Sequence, residues 1–84
     1  MSELQFKKND VMTIDLHEMK VWEANVFLTQ QIDFAPKNIK EIIIIHGYHN
    51  GRVLMHFVRH EFKNKRIKQR IHDVNQGVTH YILQ

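Results

Sequence analysis

The sequence has no cysteine, one proline and three glycines among its 84 residues. The lack of cysteine excludes disulfide bonds, cysteine-ligated zinc, iron–sulfur clusters and thiol catalysis. A small domain that folds without disulfides is typical of a reducing compartment, so we expect a cytoplasmic location. No apolar run approaches the roughly 20 residues of a membrane span. The N-terminus also lacks a signal-peptide pattern, and we therefore expect no membrane partner.

Acidic residues are scarce in the second half of the chain. Residues 1–42 carry five Lys or Arg and seven Asp or Glu, whereas residues 43–84 carry seven and two. The formal charge of +3 therefore combines a half of −2 with a half of +5. Clustered cations are typical of nucleic-acid-binding proteins, although a solvated basic face without a ligand gives the same count.

The hydrophobic pattern predicts one domain that alternates strands and helices. We expect a lead-in segment over residues 1–10, with a short strand around Leu4–Phe6, and a domain over residues 11–84. In chain order, the predicted elements are strand Val11–Leu16, helix Met19–Phe34, strand Glu41–His46, helix Gly51–Asn64, strand Ile67–Asp73 and strand Val78–Leu83.

The apolar residues also indicate which faces are buried. The core stripe of the first helix, with Phe27 at its edge, comprises Val21, Ala24, Leu28, Ile32 and Ala35. The core side of the second helix comprises Leu54, Phe57, Val58 and Phe62. The continuous run Ile42–Ile45 predicts a strand that is buried on both faces.

Two parallel strands joined by a helix end at the same edge of a sheet. His17 follows the first strand and the loop His46–Gly51 follows the second, so we expect both at that edge. In open α/β sheets, ligands bind outside the carboxyl ends of the strands. This topology predicts that Asp15, His17, His46 and His49 lie within reach of one substrate.

The loop between the second strand and the second helix carries two glycines, Gly47 and Gly51, which permit backbone conformations closed to other residues. Asn50 is of a type that caps helices. The unpaired amides at a helix start bind anions such as phosphate, although both glycines also occur in ordinary turns. Tyr48 is suited to stacking on an unpaired base or to shielding the loop from solvent.

Cations continue from this loop along the second helix. Arg52, His56, Arg59 and Lys63 are spaced by four, three and four residues, which places them on one helical face. A stripe of one sign fits tracking of a nucleic-acid backbone, whereas a solubilising face usually mixes signs.

Three segments together resemble the Smr (small MutS-related) domain. They are Ile14-Asp15-Leu16-His17 after a strand, Ile44-Ile45-His46-Gly47, and a terminal strand that begins Gly77-Val78-Thr79. The resemblance covers about residues 11–83 and implies an α/β fold, a two-layer sandwich with a four-stranded mixed sheet and two helices. It also implies nucleic-acid binding in a bacterial cytoplasm, with DNA nicking or RNA endonuclease activity. Family members act in DNA repair and recombination, or in RNA and ribosome quality control.

The family's motifs are Leu-Asp-Leu-His-Gly and a His-Gly-x-Gly-x-Gly loop. The positions that match them are Asp15, His17, His46, Gly47 and Gly51. Glu18 stands in place of the glycine after the motif histidine, and His49 in place of the first glycine of the central pair. The chain is therefore similar to a variant branch of the family with a His-Gly-Tyr-x-x-Gly loop.

Asp15 and His17 are the candidate pair for phosphodiester cleavage, because histidine transfers protons near neutral pH and a carboxylate orients it. Their i, i+2 spacing places both on one face of an extended strand. His46 and His49 are further catalytic candidates, and the reaction is hydrolysis or transesterification. The alternatives are that Asp15 pairs with the backbone of a neighbouring loop and that His17 caps the first helix.

Histidine spacing also raises the question of metal ions. His46 with His49, and His56 with His60, have ligand-like spacings, but the chain lacks cysteine and a His-Glu-x-x-His motif. We therefore predict no metal site built from protein ligands alone. A Mg²⁺ or Mn²⁺ ion held partly by Asp15 and partly by a substrate phosphate stays open.

The predicted nucleic-acid-binding residues are Gly47, Tyr48, Asn50, Gly51, Arg52, His56, Arg59 and Lys63. The alternative function is a non-catalytic adaptor that docks on a ribosome or a protein partner. It would use the same surface or Trp22, which pairs with Val26 away from the core stripe of the first helix.

Overall fold

A computed structural model describes residues 10–48 and 52–84. Within these ranges the strands are β1 (Val11–Asp15), β2 (Glu41–Ile45), β3 (Ile67–His72) and β4 (Val78–Leu83). The helices are α1 (Val21–Phe34) and α2 (Arg52–His56), and α2 continues as a π-helical segment, Phe57–Glu61. The strand expected around Leu4–Phe6 lies outside the described residues.

The described strands form a mixed sheet in the order β1-β2-β4-β3. β1 and β2 are parallel, with Asp15 opposite Ile45, whereas β4 is antiparallel to both of its neighbours. The carboxyl ends of β1 and β2 therefore share one edge of the sheet, and the start of β4 lies there too because Val78 pairs with Ile45. This architecture confirms the predicted α/β fold class, and the expected edge exists.

Both helices pack on one face of the sheet around a single core. Ala24, Leu28 and Ile32 have no exposed surface, which confirms the stripe predicted for α1. The predicted core side of the second helix is also buried and comprises Leu54, Phe57, Val58 and Phe62. The periodicity of the apolar residues was therefore sufficient to identify the faces that the helices bury.

The prediction that Ile42–Ile45 is buried on both faces is wrong. Ile42 and Ile44 face the helices and are 0% exposed. Ile43 and Ile45 point to the opposite face and are only half-buried. No described helix packs there, because both helices lie on the other side of the sheet. We call this second side the open face.

The ends of α1 are set by polar contacts. The backbone N–H of Lys20, the N-cap residue, donates to Glu23 Oε1 at 2.8 Å. The alternative in which His17 caps α1 is therefore wrong, because the cap lies three residues further along the chain. The helix ends before Pro36, as predicted.

Arg66 binds backbone carbonyls at the C-terminal end of α1. Its Nη1 donates to the backbone carbonyls of Ile32 and Ala35 at 2.6 and 3.0 Å. The last carbonyls of a helix have no partner within the helix, and a cation there also interacts favourably with the helix dipole. Arg66 thus joins the loop before β3 to the end of α1.

The second helix ends earlier than predicted and widens in its last turns. The Phe62 N–H donates to the carbonyl of Phe57 at 2.8 Å, a bond that spans five residues. The carbonyl of Val58 accepts from Tyr81 Oη at 2.7 Å and from Arg70 Nη1 at 2.9 Å. Donors from the sheet thus satisfy a carbonyl of the widened segment, which offsets the cost of the π-helical turn.

Two arginines of the basic second half therefore have structural roles. Arg66 closes α1, and Arg70 closes the π-helical segment, donating to the carbonyls of Val58 and Phe62. The guanidinium of Arg70 also lies 5.4 Å from the centre of the Tyr81 ring. The charge count of the second half consequently overstates the number of cations that are available to a ligand.

None of the helices in the described ranges combines the length and the apolar character that crossing a bilayer requires.

Candidate functional site

The shared edge of the sheet brings His17 against the loop after β2. The Cβ of His17 lies 3.7 Å from the position that a Cβ on Gly47 would occupy. Gly47 has a φ of +79°, in the left-handed region that favours glycine. The N–H groups of His46 and Gly47 both donate to the carbonyl of Gly77, at 3.0 and 3.1 Å. The turn before β4 therefore holds this loop in place.

Asp15 and His17 form an exposed dyad at the end of β1. Asp15 Oδ1 accepts hydrogen bonds from His17 Nδ1 at 2.6 Å and from the His17 backbone N–H at 3.0 Å. Both side chains are more than half exposed, at 51% and 59%. The dyad arises from a local turn in which the aspartate binds the residue two positions on. Asp15 therefore pairs with the backbone of its own turn rather than with that of a neighbouring loop.

The hydrogen bond within the dyad shifts both pKa values. The bond to His17 lowers the pKa of Asp15 below its usual 3.8. The same bond, with the charge of Asp15, raises the pKa of His17 above 6.5. Because a carboxylate oxygen only accepts, Nδ1 carries a proton, and Nε2 is the nitrogen that gains or loses one. Within the described part of the chain, no partner binds Nε2.

His46 is buried, and both of its ring nitrogens are engaged. Nδ1 lies 2.9 Å from the carbonyl of Gly47, so this nitrogen donates. Burial, together with the charge of Arg59, lowers the pKa of His46 below 6.5, and the ring is neutral at pH 7. Its Nε2 therefore accepts from the Thr79 hydroxyl, at 2.8 Å. A neutral histidine with both nitrogens occupied is suited to positioning the loop.

Arg59 extends this chain of hydrogen bonds. Its Nε donates to Thr79 Oγ1 at 2.7 Å, and its Nη2 donates to the carbonyl of Val78 at 2.8 Å. The order of donation is therefore Arg59 to Thr79, Thr79 to His46, and His46 to the carbonyl of Gly47. Arg59 was predicted to lie on an exposed stripe, but two of its nitrogens bind the start of β4.

The other members of the predicted stripe do not lie along one line. The helix widens after His56, so the four-three-four spacing no longer repeats on a single face. Arg52 is exposed, its guanidinium carbon 5.7 Å from the centre of the Tyr48 ring. His56 is exposed beside Glu61, with Nε2 and Oε2 3.3 Å apart. Lys63 is exposed beyond the end of the helix. The remaining predicted residues, His49, Asn50 and Gly51, lie outside the described ranges.

A groove of about 730 Å³ opens beside the dyad, between the start of α1 and the start of α2. His17, His46, Gly47 and Tyr48 contribute to its lining, so four predicted site residues meet here. The sequence also left part of the lining unpredicted. Those residues come from the starts of the two helices and include Met19, Lys20, Val21, Val53 and Leu54.

A second histidine–carboxylate group, which the sequence did not single out, lies on the open face. His80 Nδ1 lies 2.5 Å from Glu41 Oε2, and Nε2 lies 2.6 Å from Asp73 Oδ2. Burial by itself lowers the pKa of His80, but its bonds to Asp73 and Glu41 raise it above 6.5. Asp73 lies seven residues before His80, across the turn between β3 and β4, whereas Glu41 lies 39 residues before it and joins the group only through the pairing of β2 with β4.

His56, His60 and His72 also gather at the surface. The ring centres of His56 and His60 are 4.9 Å apart, and those of His60 and His72 are 5.6 Å apart. Among the described residues, however, no three His, Asp or Glu side chains are arranged to hold a metal ion. Asp15 is the one carboxylate of the dyad. It fits a divalent cation only when a substrate supplies further oxygen ligands.

The fold and this site can be compared with known proteins. A family model described as the Smr domain matches residues 14–80. The chain belongs to the Smr domain family. No curated protein sequence matches it.

A solved structure agrees with this assignment in fold. The Smr domain of Thermus thermophilus MutS2 superposes with a TM-score of 0.76 at 22% sequence identity. The match covers 87% of the present Smr domain and 98% of the other chain. The two chains therefore share their architecture over nearly their whole length.

Glu18, which stands in place of the motif glycine, has a backbone conformation that favours glycine. Glu18 has a φ of +71°, the left-handed conformation that glycine adopts without cost. The glycine that the motif places after its histidine fits this turn. The present Smr domain instead carries a strained glutamate, which is one of the residues that line the groove beside His17.

Proposed function

We propose that this Smr domain binds nucleic acid and cleaves its phosphodiester backbone, with Asp15 and His17 as the reacting pair. The exposed dyad is the observation that carries the proposal. One carboxylate orients the imidazole through Nδ1 at 2.6 Å, which leaves Nε2 for proton transfer to or from substrate. His17 of the dyad also lines a groove that is open to a ligand.

In the proposed reaction, the neutral form of His17 accepts a proton at Nε2 from the attacking group. That group is a water molecule or, in RNA, the adjacent ribose 2′-hydroxyl. Its oxygen forms a new bond to phosphorus while the bond from phosphorus to the leaving oxygen breaks, and the leaving oxygen takes up a proton from water. His17 then releases the proton at Nε2 to solvent and returns to its neutral form. Asp15 stays ionised and stabilises the imidazolium that forms, because its own pKa lies below the usual range.

The loop and the neighbouring cations form the proposed binding surface. Gly47 and Tyr48 border the groove, and Arg52 adjoins Tyr48, its Nη2 lying 3.4 Å from the phenol oxygen. His56 and Lys63 are exposed further along and are proposed to meet the backbone. His49, Asn50 and Gly51 stay in this proposal through their places in the loop sequence. Within the site, His46 and Arg59 position the loop.

Whether cleavage depends on a metal ion is a separate part of this proposal. A Mg²⁺ or Mn²⁺ ion shared between Asp15 and a substrate phosphate would neutralise charge on that phosphate. The dyad itself supplies the proton transfer in either case. Cleavage measured with added Mn²⁺ and with a chelator separates the metal-assisted reaction from the metal-independent one.

The test begins with the wild-type protein. Labelled single-stranded RNA and supercoiled DNA are incubated with it, with Mn²⁺ and with a chelator, and the products are resolved by length. We expect cleavage of at least one substrate, and the absence of cleavage in every condition contradicts the nuclease proposal. The substrate that is cut also separates a role in DNA repair or recombination from one in RNA or ribosome quality control.

Binding is tested by its dependence on salt. Lys63→Ala is expected to reduce the slope of log affinity against log salt by about one, as for the loss of one phosphate contact. Lys37→Ala is the matched control, since Lys37 is an exposed lysine in the loop between α1 and β2. An unchanged slope in Lys63→Ala assigns that lysine to solubility.

One observation favours an adaptor role as the second candidate. Trp22 and Val26 are four residues apart on α1 and are 66% and 49% exposed. Neither contributes to the core, and an exposed tryptophan is typical of protein interfaces. If the wild-type protein binds neither RNA nor DNA, a ribosome or protein partner that contacts Trp22 becomes the better proposal.

A further inference from the structure

The groove beside the dyad has apolar walls. Its lining includes Met19 and Val21, just before and at the start of α1, and Val53 and Leu54, at the start of α2. Leu54 is buried, but Val53 is 68% exposed. An exposed apolar side chain beside a concave site is suited to contact with an uncharged, flat ligand group.

The polar side chains of the groove argue against a phosphate pocket. Glu18 is an acidic residue of the lining, and negative charge beside the groove repels a phosphate group. Its backbone is strained at a φ of +71°, so a charged side chain is retained where glycine would fit more easily. The interior of the groove therefore suits the uncharged part of a nucleotide rather than its phosphate.

Cations lie beside the apolar lining of this groove. Lys20 borders the groove at the start of α1, and Arg52 lies on the other side, over the ring of Tyr48. His17, whose pKa is raised by Asp15, borders the groove as well. An apolar interior with cations at its border matches the charge distribution of a nucleotide, with its neutral base and anionic backbone.

We propose that the groove receives one unpaired base of a single strand, which lies against Val53 and Tyr48 and brings its backbone to the dyad. This inference rests on the proposed function and names its substrate class, unpaired nucleotides. A base that is stacked and paired within a duplex cannot enter the groove unless it is flipped out, which costs a few kcal/mol. Stacking of a base on an aromatic ring is independent of sequence, so the preference concerns strandedness.

The test compares strands that differ only in their bases. The probes are a 12-nucleotide single strand with one 2-aminopurine, an abasic strand of the same length and charge, and the matching duplex. We expect the intact strand to bind about tenfold more tightly than the abasic strand or the duplex, since a stacked base contributes on this scale. We also expect the fluorescence of 2-aminopurine to be quenched on binding.

Substitutions at Val53 and Tyr48 test whether the base binds in the groove. Val53→Ser and Tyr48→Leu are expected to remove most of the preference for the intact strand, whereas Tyr48→Phe retains it. Val26→Ser is the matched control, because Val26 is an exposed valine on α1 outside the groove. Circular dichroism of each variant checks that the fold is retained.

The outcomes separate this inference from the function on which it rests. If intact and abasic strands bind equally and with strong salt dependence, the base does not enter the groove and the inference is wrong, while nucleic-acid binding stands. If neither strand binds, the proposed function fails and the inference fails with it. A preference that survives in both Val53→Ser and Tyr48→Leu also overturns the inference.

Discussion

The two histidine–carboxylate groups of this domain contain the same types of side chain but differ in exposure and in the number of carboxylate partners. His17 has one carboxylate partner, lies at the end of a strand and is 59% exposed. His80 has two carboxylate partners, lies within β4 and is 20% exposed. In His17, one ring nitrogen is anchored and the other meets solvent. In His80, both nitrogens are anchored.

This difference decides what each histidine does. An imidazole that donates from both nitrogens is an imidazolium, and moving its proton means breaking a bond in the structure. His80 therefore connects β2 to β4 and to Asp73, which follows β3. The proton on Nε2 of His17 is not held by a described residue, so we expect its exchange to leave the fold undisturbed. Carboxylate contacts alone do not mark a reactive histidine; the second nitrogen must also be accessible.

The largest expected effect is that of His17→Ala on cleavage. Loss of the proton-transfer group is expected to reduce the cleavage rate by about 10²- to 10⁴-fold. The midpoint of urea unfolding is expected to change little, because the side chain is exposed. Cleavage assays and urea titrations on the same preparation check both statements. Cleavage at the wild-type rate would remove His17 from the proposed site without disproving the nuclease activity.

His80→Gln is expected to reduce the stability of the fold and to leave cleavage unchanged. It removes a charged partner from Glu41 and Asp73, and it is expected to lower the free energy of unfolding by about 1–3 kcal/mol. The cleavage rate per folded molecule is expected to stay the same, because His80, Glu41 and Asp73 are not among the residues that line the groove. Urea unfolding followed by circular dichroism measures the change. A stable variant that no longer cleaves would exchange the roles assigned to the two histidines.

The stabilisation by His80 is expected to depend on pH. Its pKa in the folded protein is raised above 6.5, so its contribution is fully present below pH 6.5 and is lost as pH rises through the folded value. The contribution also weakens in acid, as pH falls through the lowered pKa of Asp73. The difference in unfolding free energy between wild type and His80→Gln is measured from pH 5 to pH 9. A difference that grows above pH 6.5 would show that His80 is not the protonated partner.

Asp15→Asn is expected to change the pH dependence of cleavage. The hydrogen bond from His17 to Asp15 raises the pKa of His17, so loss of the carboxylate charge moves the corresponding limb of the pH–rate profile to lower pH. Asn keeps an oxygen that can accept the hydrogen bond, which preserves the orientation of the ring. Rates across the range pH 5 to 9 in both proteins provide the measurement. If this limb of the pH–rate profile does not move, the group that titrates there is not His17.

The smallest expected effect is that of Glu18→Gly. Glycine relieves the left-handed backbone at a φ of +71° but increases the entropy of the unfolded chain, so we expect a net stabilisation of about 0.5–1 kcal/mol. Glu18→Ala serves as the control, since it removes the carboxylate and keeps the strain. Thermal unfolding of the three proteins separates the two contributions. A Gly variant that is less stable than the Ala variant would show that backbone strain at this position is smaller than the entropic cost of glycine.

Much of the fold follows from local patterns in the sequence. The 3.6-residue stripe identified the buried side of α1, and Pro36 marked its end. The crossover rule places His17 and Gly47 at one edge of the sheet from the order of the elements alone. These inferences succeed because each depends on neighbours in the chain or on a general rule of topology.

The candidate site could be predicted less completely from local sequence patterns. The 3.6-residue period placed Arg59 on an exposed stripe, but its guanidinium binds Val78 and Thr79, which are 19 and 20 residues away. Arg66 and Arg70 add to the positive charge of the second half of the chain, yet each of them satisfies backbone carbonyls at a helix end. A sequence shows that a side chain is cationic, but the partner of that cation is decided in three dimensions.

The sequence by itself determined the chemical inventory: aspartate, histidine and backbone amides in place of cysteine, and a dyad that forms within three consecutive residues. It also determined the faces that the helices bury, because periodicity is a local property. Only the tertiary structure decided which histidines are occupied. His46 and Thr79 are 33 residues apart, and Glu41 and His80 are 39 apart. Contacts at such separations depend on strand order and register, which determine whether a histidine is fixed in the fold or left accessible to a substrate.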